Sequence, residues 1–127
     1  MPSRSWKLRV EDILEAIAAV RGYVEGMTFD DFCGDPRTVD AVIRRFIVIG
    51  EAAGRIPEEV CSRNGHIPWA DMRAVRNFVV HEYFGVGEGI IWDTIRQDLP
   101  GIVEPLERLL REEEEESQPA RALPPAR

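Results

Sequence analysis

The chain of 127 residues carries a formal net charge of −7, with 44% hydrophobic and 31% charged residues, which is the composition of one ordinary globular domain. The negative charge argues against a broad nucleic-acid-binding surface. No apolar run reaches the ~20 residues that a membrane helix needs, and the N-terminus lacks the apolar segment of an export signal. A cytoplasmic protein without membrane contact is expected, with Cys33 and Cys61 as free thiols.

Apolar residues recur at helical spacing along nearly the whole chain. The first predicted helix covers residues 7–26, although two glycines weaken its last turns. Thr28 precedes a pair of acidic residues and predicts the N-cap of a short helix. Asp35, followed by proline, predicts the start of the strongest helix, which ends near Gly54. Gly50 on the inner face of that helix leaves room for another helix to approach closely.

The second half of the chain continues the helical pattern. A short helix is predicted over residues 57–63, and a longer one over residues 69–83 with Gly85 as its C-terminal cap. A further helix is predicted over residues 87–98. Prolines interrupt the chain beyond it, and a leucine-rich stretch predicts one more helical segment before the acidic run at residues 112–116.

These elements predict an all-α fold, an up-and-down bundle of four main helices with short accessory helices. The helical domain is expected to cover residues 1–110. Residues 111–127 form an acidic, proline-rich tail that is expected to be disordered, because its composition cannot bury a core. An acidic run is most often a solvated solubilising segment, and binding of a partner or self-shielding is the alternative.

The segment from Arg76 to Tyr83, Arg-Asn-Phe-Val-Val-His-Glu-Tyr, is the most informative part of the sequence. An arginine can brace a phosphate and His81 can move protons near neutral pH, which together suffice for cutting RNA. Asn77 could orient the phosphate or bond the histidine. Each residue also has a plainer interpretation: Arg76 as an ion-pair partner, His81 as a capping or surface group, and Tyr83 as a half-buried packing residue.

Helix geometry limits how these side chains can meet. At about 100° per residue, Arg76 and Tyr83 lie within about 20° of one face, whereas His81 projects about 140° away from Arg76. Two arrangements could bring them together. The helix could loosen just before Gly85, or a second subunit could supply the missing partner across a two-fold axis.

No metal or cofactor is predicted. The two histidines, His66 and His81, have no ligand partners at the spacing of a recognised metal site. The glycines at 85–89 lack the preceding strand and the Lys-Ser/Thr end of a phosphate-binding loop.

In the order Arg, four residues, His, one residue, Tyr, the motif resembles that of the HepT-like toxins of the HEPN superfamily. The resemblance covers roughly residues 7–110, and its one departure near the motif is Ala-Val before the arginine where the family commonly has Gly-Met. Outside the motif it is carried by Leu8-Arg-Val-Glu-Asp-Ile-Leu-Glu-Ala-Ile, Val42-Ile-Arg-Arg-Phe-Ile-Val-Ile-Gly-Glu-Ala, Ile67-Pro-Trp and Ile91-Trp-Asp-Thr-Ile-Arg-Gln-Asp-Leu-Pro.

This resemblance implies a HEPN-like homodimer with the active site between its subunits. The implied activity is that of a metal-independent endoribonuclease, the toxin of a type II toxin–antitoxin system. Arg76 and His81 are then the catalytic residues and Asn77 a supporting one. The implied partner is a cognate MntA-like nucleotidyltransferase antitoxin, which transfers AMP to Tyr83 and thereby blocks the cleft.

Because the chain is acidic, RNA contact is expected only in a local basic cleft, with Arg73, Arg44 and Arg45 as candidates for its walls. A rival hypothesis is a non-catalytic binding or regulatory subunit of a two-component nucleotidyltransferase, which the acidic surface also fits. A purely structural helical dimer is the third possibility.

Overall fold

The computed structural model describes the backbone of residues 2–116 and the side chains of residues 6–77 and 87–112. Residues 2–116 are helical and contain no strand, so the predicted all-α fold is confirmed. Four long helices are accompanied by short ones, as the sequence predicts. In chain order they are α1 (Pro2–Tyr23), α2 (Phe29–Cys33), α3 (Pro36–Ala53), α4 (Glu58–Arg63), α5 (Trp69–Val86), α6 (Glu88–Asp93), a π-helical turn (Thr94–Asp98) and α7 (Pro100–Glu116).

Side-chain caps start α2 and α3 where the sequence predicts them. Thr28 Oγ1 accepts the backbone N–H of Asp31 at 3.1 Å, and the Asp31 carboxylate accepts the backbone N–H of Thr28 at 3.0 Å. At α3, Asp35 accepts the hydroxyl of Thr38 at 2.8 Å and its backbone N–H at 3.2 Å. These hydrogen bonds, the hydroxyl first, hold the pKa of Asp35 below its ordinary value because they stabilise the carboxylate.

Helix α3 is central, because it packs extensively against both α1 and α5. Its inner face is almost fully closed to solvent, and α1 and α7 complete the core from the other side. This packing holds α3 and α5 side by side and so positions the residues between them. The larger buried side chains of these helices include Val39, Val42, Phe46 and Ile49 of α3, Val10, Ile13, Ile17 and Val20 of α1, and Leu106 and Leu109 of α7.

Two glycines with positive φ set turns that differ from those predicted. Helix α1 ends at Tyr23, three residues early, and Gly26 turns the chain with a φ of +79°. Helix α5 continues past Gly85, and Gly87 makes the turn with a φ of +79°. The predicted cap at Gly85 is therefore wrong. Because any glycine can adopt the left-handed conformation at no steric cost, the sequence could not choose between the two.

The chain from α6 to α7 is more continuous than predicted. The N–H of Leu99 donates to the carbonyl of Thr94 at 3.0 Å, an i→i+5 bond that closes a π-helical turn. Pro105 lies inside α7, where it removes one helical hydrogen bond. The helix continues through it because the side chains that follow, Leu106 above all, are buried in the core.

Helix α7 also extends through the acidic run to Glu116, whereas the sequence predicts its end before that run. Glu104 pairs with Arg108 at 3.0 Å and with Arg111 at 3.5 Å, so ion pairs run along its exposed face. The boundary predicted at residue 110 falls within this helix. Residues 117–127 lie outside the described part of the chain, and the division into a domain and a disordered tail stays a prediction.

Candidate active site

The candidate site is built on the contact between α3 and α5. Gly50 on α3 is buried directly against Arg76 on α5. A Cβ at position 50 would lie 2.8 Å from the backbone N of Arg76 and 3.1 Å from its Cα, closer than atoms can pack. The prediction that Gly50 permits the close approach of another helix is thus confirmed, and that helix is the one that carries the motif.

The guanidinium of Arg76 has two hydrogen-bond partners among the described side chains, Glu51 and Asn77. Its Nε donates to Glu51 Oε2 at 3.0 Å, and its Nη1 lies 3.5 Å from Asn77 Oδ1, a long contact. The side chains of Arg76 and Glu51 are 43% and 50% exposed, so the pair faces solvent. Since N–H groups remain on Nη1 and Nη2, the guanidinium can still bind an incoming phosphate.

His81 and Tyr83 lie in α5, but their side chains are outside the described residues. The backbone around them is regular helix as far as Val86, so it does not loosen before Gly85. A regular helix keeps His81 about 140° from Arg76 and Tyr83 within about 20° of it. The second arrangement considered from the sequence, in which another subunit supplies the facing residue, stays a prediction.

Two of the three arginines predicted to line an RNA cleft have other partners within the described side chains. Arg73 Nη1 lies 3.9 Å from the sulfur of Cys61, a buried free thiol. Arg45 donates through Nε to the hydroxyl of Tyr23 at 3.3 Å and stacks over its ring, with Cζ 6.0 Å from the ring centroid. Arg44 is exposed on α3. Their assignment to the cleft stays a prediction.

An open groove of about 560 Å³ lies on another side of α5. Its walls come from α3, α5, the π-helical turn and the start of α7, and they are mainly apolar. Its charged lining residues, Asp71 and Asp98, are acidic and exposed. An apolar groove with acidic edges does not suit a phosphate backbone, so the exposed face of Arg76 is the better candidate for RNA contact.

Two negative findings apply to the described residues. Among them, no group of three or more His, Cys, Asp and Glu side chains is placed to hold a metal ion. No helix of this part of the chain is long and apolar enough to cross a membrane.

Glu51 is the residue near the motif to which the sequence assigned no role. It follows Gly50 in a segment typical of the resemblance, yet nothing in its spacing points to Arg76, which is 25 residues away. The contact of Glu51 could have been predicted from its position directly after a small residue at a helix contact. An acidic side chain at such a position can reach the facing helix.

The described residues thus define an all-α protein whose candidate site is an exposed arginine on a central helix pair. A sequence model of the family described as "Ribonuclease HepT-like" matches residues 13–109. The chain therefore belongs to the HepT-like ribonuclease family, which confirms the family and the enzyme class indicated by the motif.

Curated relatives agree with this assignment. "Probable ribonuclease HepT" of Thermococcus cleftensis is 38% identical over 106 residues, 84% of this chain and 96% of the relative. "Putative RNase MJ0127" of Methanocaldococcus jannaschii is 34% identical over 118 residues, 93% of this chain and 98% of the relative. "Putative RNase TTE0752" of Caldanaerobacter subterraneus subsp. tengcongensis is 34% identical over 104 residues, 82% and 93% respectively. No solved structure matches the chain.

Proposed function

We propose that this chain is a metal-independent endoribonuclease that acts as the toxin of a type II toxin–antitoxin system. The observation that carries the proposal is the guanidinium of Arg76, which is half exposed and bonded through Nε to Glu51, while no described side chain bonds its Nη2. It lies five residues before His81 on one helix of a HepT-like ribonuclease. A fixed cation can stabilise negative charge on the phosphate, and an imidazole can transfer protons, and RNA cleavage needs both.

In the proposed reaction the ribose 2′-oxygen attacks the adjacent phosphorus, and the bond from phosphorus to the 5′-oxygen of the next nucleotide breaks. His81 accepts the 2′-hydroxyl proton as a general base or protonates the departing 5′-oxygen as a general acid. Arg76 stabilises the negative charge that develops on the non-bridging oxygens, with Asn77 in support. The products are a 2′,3′-cyclic phosphate and a 5′-hydroxyl, so no water or metal is consumed in this step.

The active form is proposed to be a homodimer with the cleft between its subunits. A regular α5 directs Arg76 and His81 to different faces. A two-fold axis would set the arginine of one subunit opposite the histidine of the other. The two histidines could then serve as base and acid on either side of one phosphate.

The proposed off-switch is transfer of AMP to Tyr83 by a cognate MntA-like nucleotidyltransferase. Tyr83 lies seven residues after Arg76 on the same helix, within about 20° of the same face. An AMP group there would add bulk and negative charge close to the arginine, where the RNA phosphate is proposed to bind. Repulsion at short range, little screened by salt, would then exclude the substrate.

The ribonuclease is tested by incubating the purified chain with RNA in the presence of EDTA. We expect cleavage to continue in the chelator and the new ends to carry 2′,3′-cyclic phosphate. A His81→Ala variant purified in the same way is the control against a contaminating nuclease, and it should be inactive. Equal cleavage by the variant would refute the assignment and favour the non-catalytic binding subunit.

The switch is tested by the intact mass of the chain after co-expression with an MntA-like nucleotidyltransferase from the same genome. The wild type should gain one or more AMP units and lose ribonuclease activity, whereas Tyr83→Phe should gain none at this position and stay active. Tyr23→Phe, which removes the other tyrosine hydroxyl of the chain, is the matched control and should be modified like the wild type. Modification of Tyr83→Phe to the wild-type extent would contradict the proposal.

A further inference from the structure

Glu51 makes the shorter of the two hydrogen bonds that the described side chains form with the proposed phosphate-binding arginine. Its Oε2 lies 3.0 Å from Arg76 Nε, whereas the other hydrogen bond of the guanidinium, to Asn77, is 3.5 Å long. The two residues come from different helices and are 25 positions apart. The ion pair is therefore a product of how α3 and α5 pack.

The backbone beneath this pair is closely packed. Gly50 brings α3 against the backbone of α5 at Arg76, so close that no Cβ fits between them. The side chain of the next residue, Glu51, thus starts from a point that is fixed relative to the arginine. A carboxylate carried by a closely packed helix can hold a guanidinium in one orientation, which a residue on a mobile loop could not do.

The edge that Glu51 occupies decides what remains for the substrate. A carboxylate on Nε leaves Nη1 and Nη2 as the outward edge of the planar guanidinium, the edge that can donate two parallel N–H groups to a phosphate. Without this contact, the Arg76 side chain, which is 43% exposed, would lose its rotational freedom only on reaching the transition state. That loss of entropy would raise the barrier of the reaction.

We propose that Glu51 is a positioning residue, which orients the guanidinium of Arg76 so that its Nη1–Nη2 edge meets the scissile phosphate. This rests on the proposed ribonuclease function of the same site. The pair is too exposed to add much to stability, since ion pairs that face solvent contribute little to it. Its contribution is to catalysis, through the arginine.

A negative charge beside a phosphate site also has a cost, and this gives the proposal a specific signature. Removing the charge of Glu51 should strengthen ground-state binding of RNA and lower KM. Removing its hydrogen bond should leave the arginine unoriented and lower kcat. Substitutions that separate the two effects will therefore move KM and kcat independently.

Three variants make this separation on the full chain with an RNA substrate. Glu51→Ala removes charge and hydrogen bond, and we expect kcat to fall by about 10–100-fold while KM decreases. Glu51→Gln keeps an acceptor for Nε without the charge, so kcat should return close to wild type while KM stays low. Glu51→Asp keeps the charge but withdraws the carboxylate by one methylene, so kcat should fall without the decrease in KM.

The matched control is Asp40→Ala, which removes one exposed acid from the same helix and should leave kcat unchanged. Thermal unfolding of each variant shows that it is folded. A kcat of Glu51→Ala equal to that of the wild type would overturn the proposal, and so would a kcat of Glu51→Gln as low as that of Glu51→Ala. A rise in kcat on removal of Glu51 would also overturn it, because the acid would then mask the arginine.

A second measurement separates this proposal from the ribonuclease function itself. The Nε–H proton of Arg76, identified in NMR spectra by its absence in Arg76→Lys, should exchange slowly in the wild type and in Glu51→Gln, and rapidly in Glu51→Ala. If the wild type cuts no RNA, the proposed function fails while this result still decides whether Glu51 orders the arginine. Rapid exchange in the wild type would sink the positioning role alone.

Discussion

Replacing Arg76 by alanine should lower kcat for RNA cleavage by about 10²–10³-fold, the usual loss when one donor that stabilises transition-state charge is removed. Stability should change little, because the ion pair that is lost is 43% and 50% exposed and such pairs contribute about 0–1 kcal/mol. A large kinetic effect with an almost unchanged unfolding midpoint would separate a catalytic arginine from a structural one.

Arg76→Lys sharpens this result. Lysine keeps the positive charge but has no Nε for Glu51 and no planar edge for a phosphate. We therefore expect it to recover RNA binding but only a small part of kcat. The cleavage rates of Arg76→Ala and Arg76→Lys are measured under single-turnover conditions, so that product release does not hide the chemical step.

The control for Arg76 is Arg9→Ala on α1. Arg9 pairs with Asp12 at 3.4 Å, and the two side chains are 39% and 45% exposed, so the substitution removes the same charge and a similar ion pair far along the sequence from the motif. Its kcat should equal that of the wild type. If Arg76→Ala were as active as Arg9→Ala, the arginine of the motif would have no catalytic role.

Replacing Gly50 by alanine should destabilise the fold by about 1–3 kcal/mol, the cost of forcing extra atoms into a close-packed contact. The new methyl would meet the backbone of Arg76 at 2.8 Å and 3.1 Å, and backbone atoms cannot turn aside as a flexible side chain can. Helices α3 and α5 must then separate, which also moves Arg76 from Glu51. The variant should therefore lose ribonuclease activity as well as stability.

Gly22→Ala is the matched control, because Gly22 lies within α1 and a Cβ there meets nothing within 4 Å. Alanine is the better helix former by about 1 kcal/mol, so this variant should unfold at a higher denaturant concentration than the wild type. Denaturant unfolding of both variants gives the comparison. A Gly50→Ala protein as stable as Gly22→Ala would mean that α3 and α5 do not approach as closely as described.

The start of α3 shows why some elements could be predicted from local residues. Asp35 and the proline after it supply an N-cap and a fixed φ, and most of the apolar side chains that follow at helical spacing are buried. Each of these signals acts within one or two turns of the chain. The same is true of the Thr28 cap, and both helices begin where predicted.

Helix ends were harder to predict, because several local signals compete there. Gly85 and Gly87 can both end α5, and the helix runs to Val86 with the positive φ at Gly87. The proline at 105 is a local stop signal, yet α7 passes through it since the leucines beyond it are buried in the core. Tertiary packing outweighed a local penalty in α7.

The sequence by itself determined the all-α fold, the caps of α2 and α3, and the motif that places the chain among the HepT-like ribonucleases. These depend on residues close together in the chain, so their spacing carries the information. Only the tertiary structure decided which residue stands beside Arg76. The contact of Glu51 with that arginine arises because Gly50 lets α3 and α5 touch, and a contact across 25 residues depends on packing that no local pattern records.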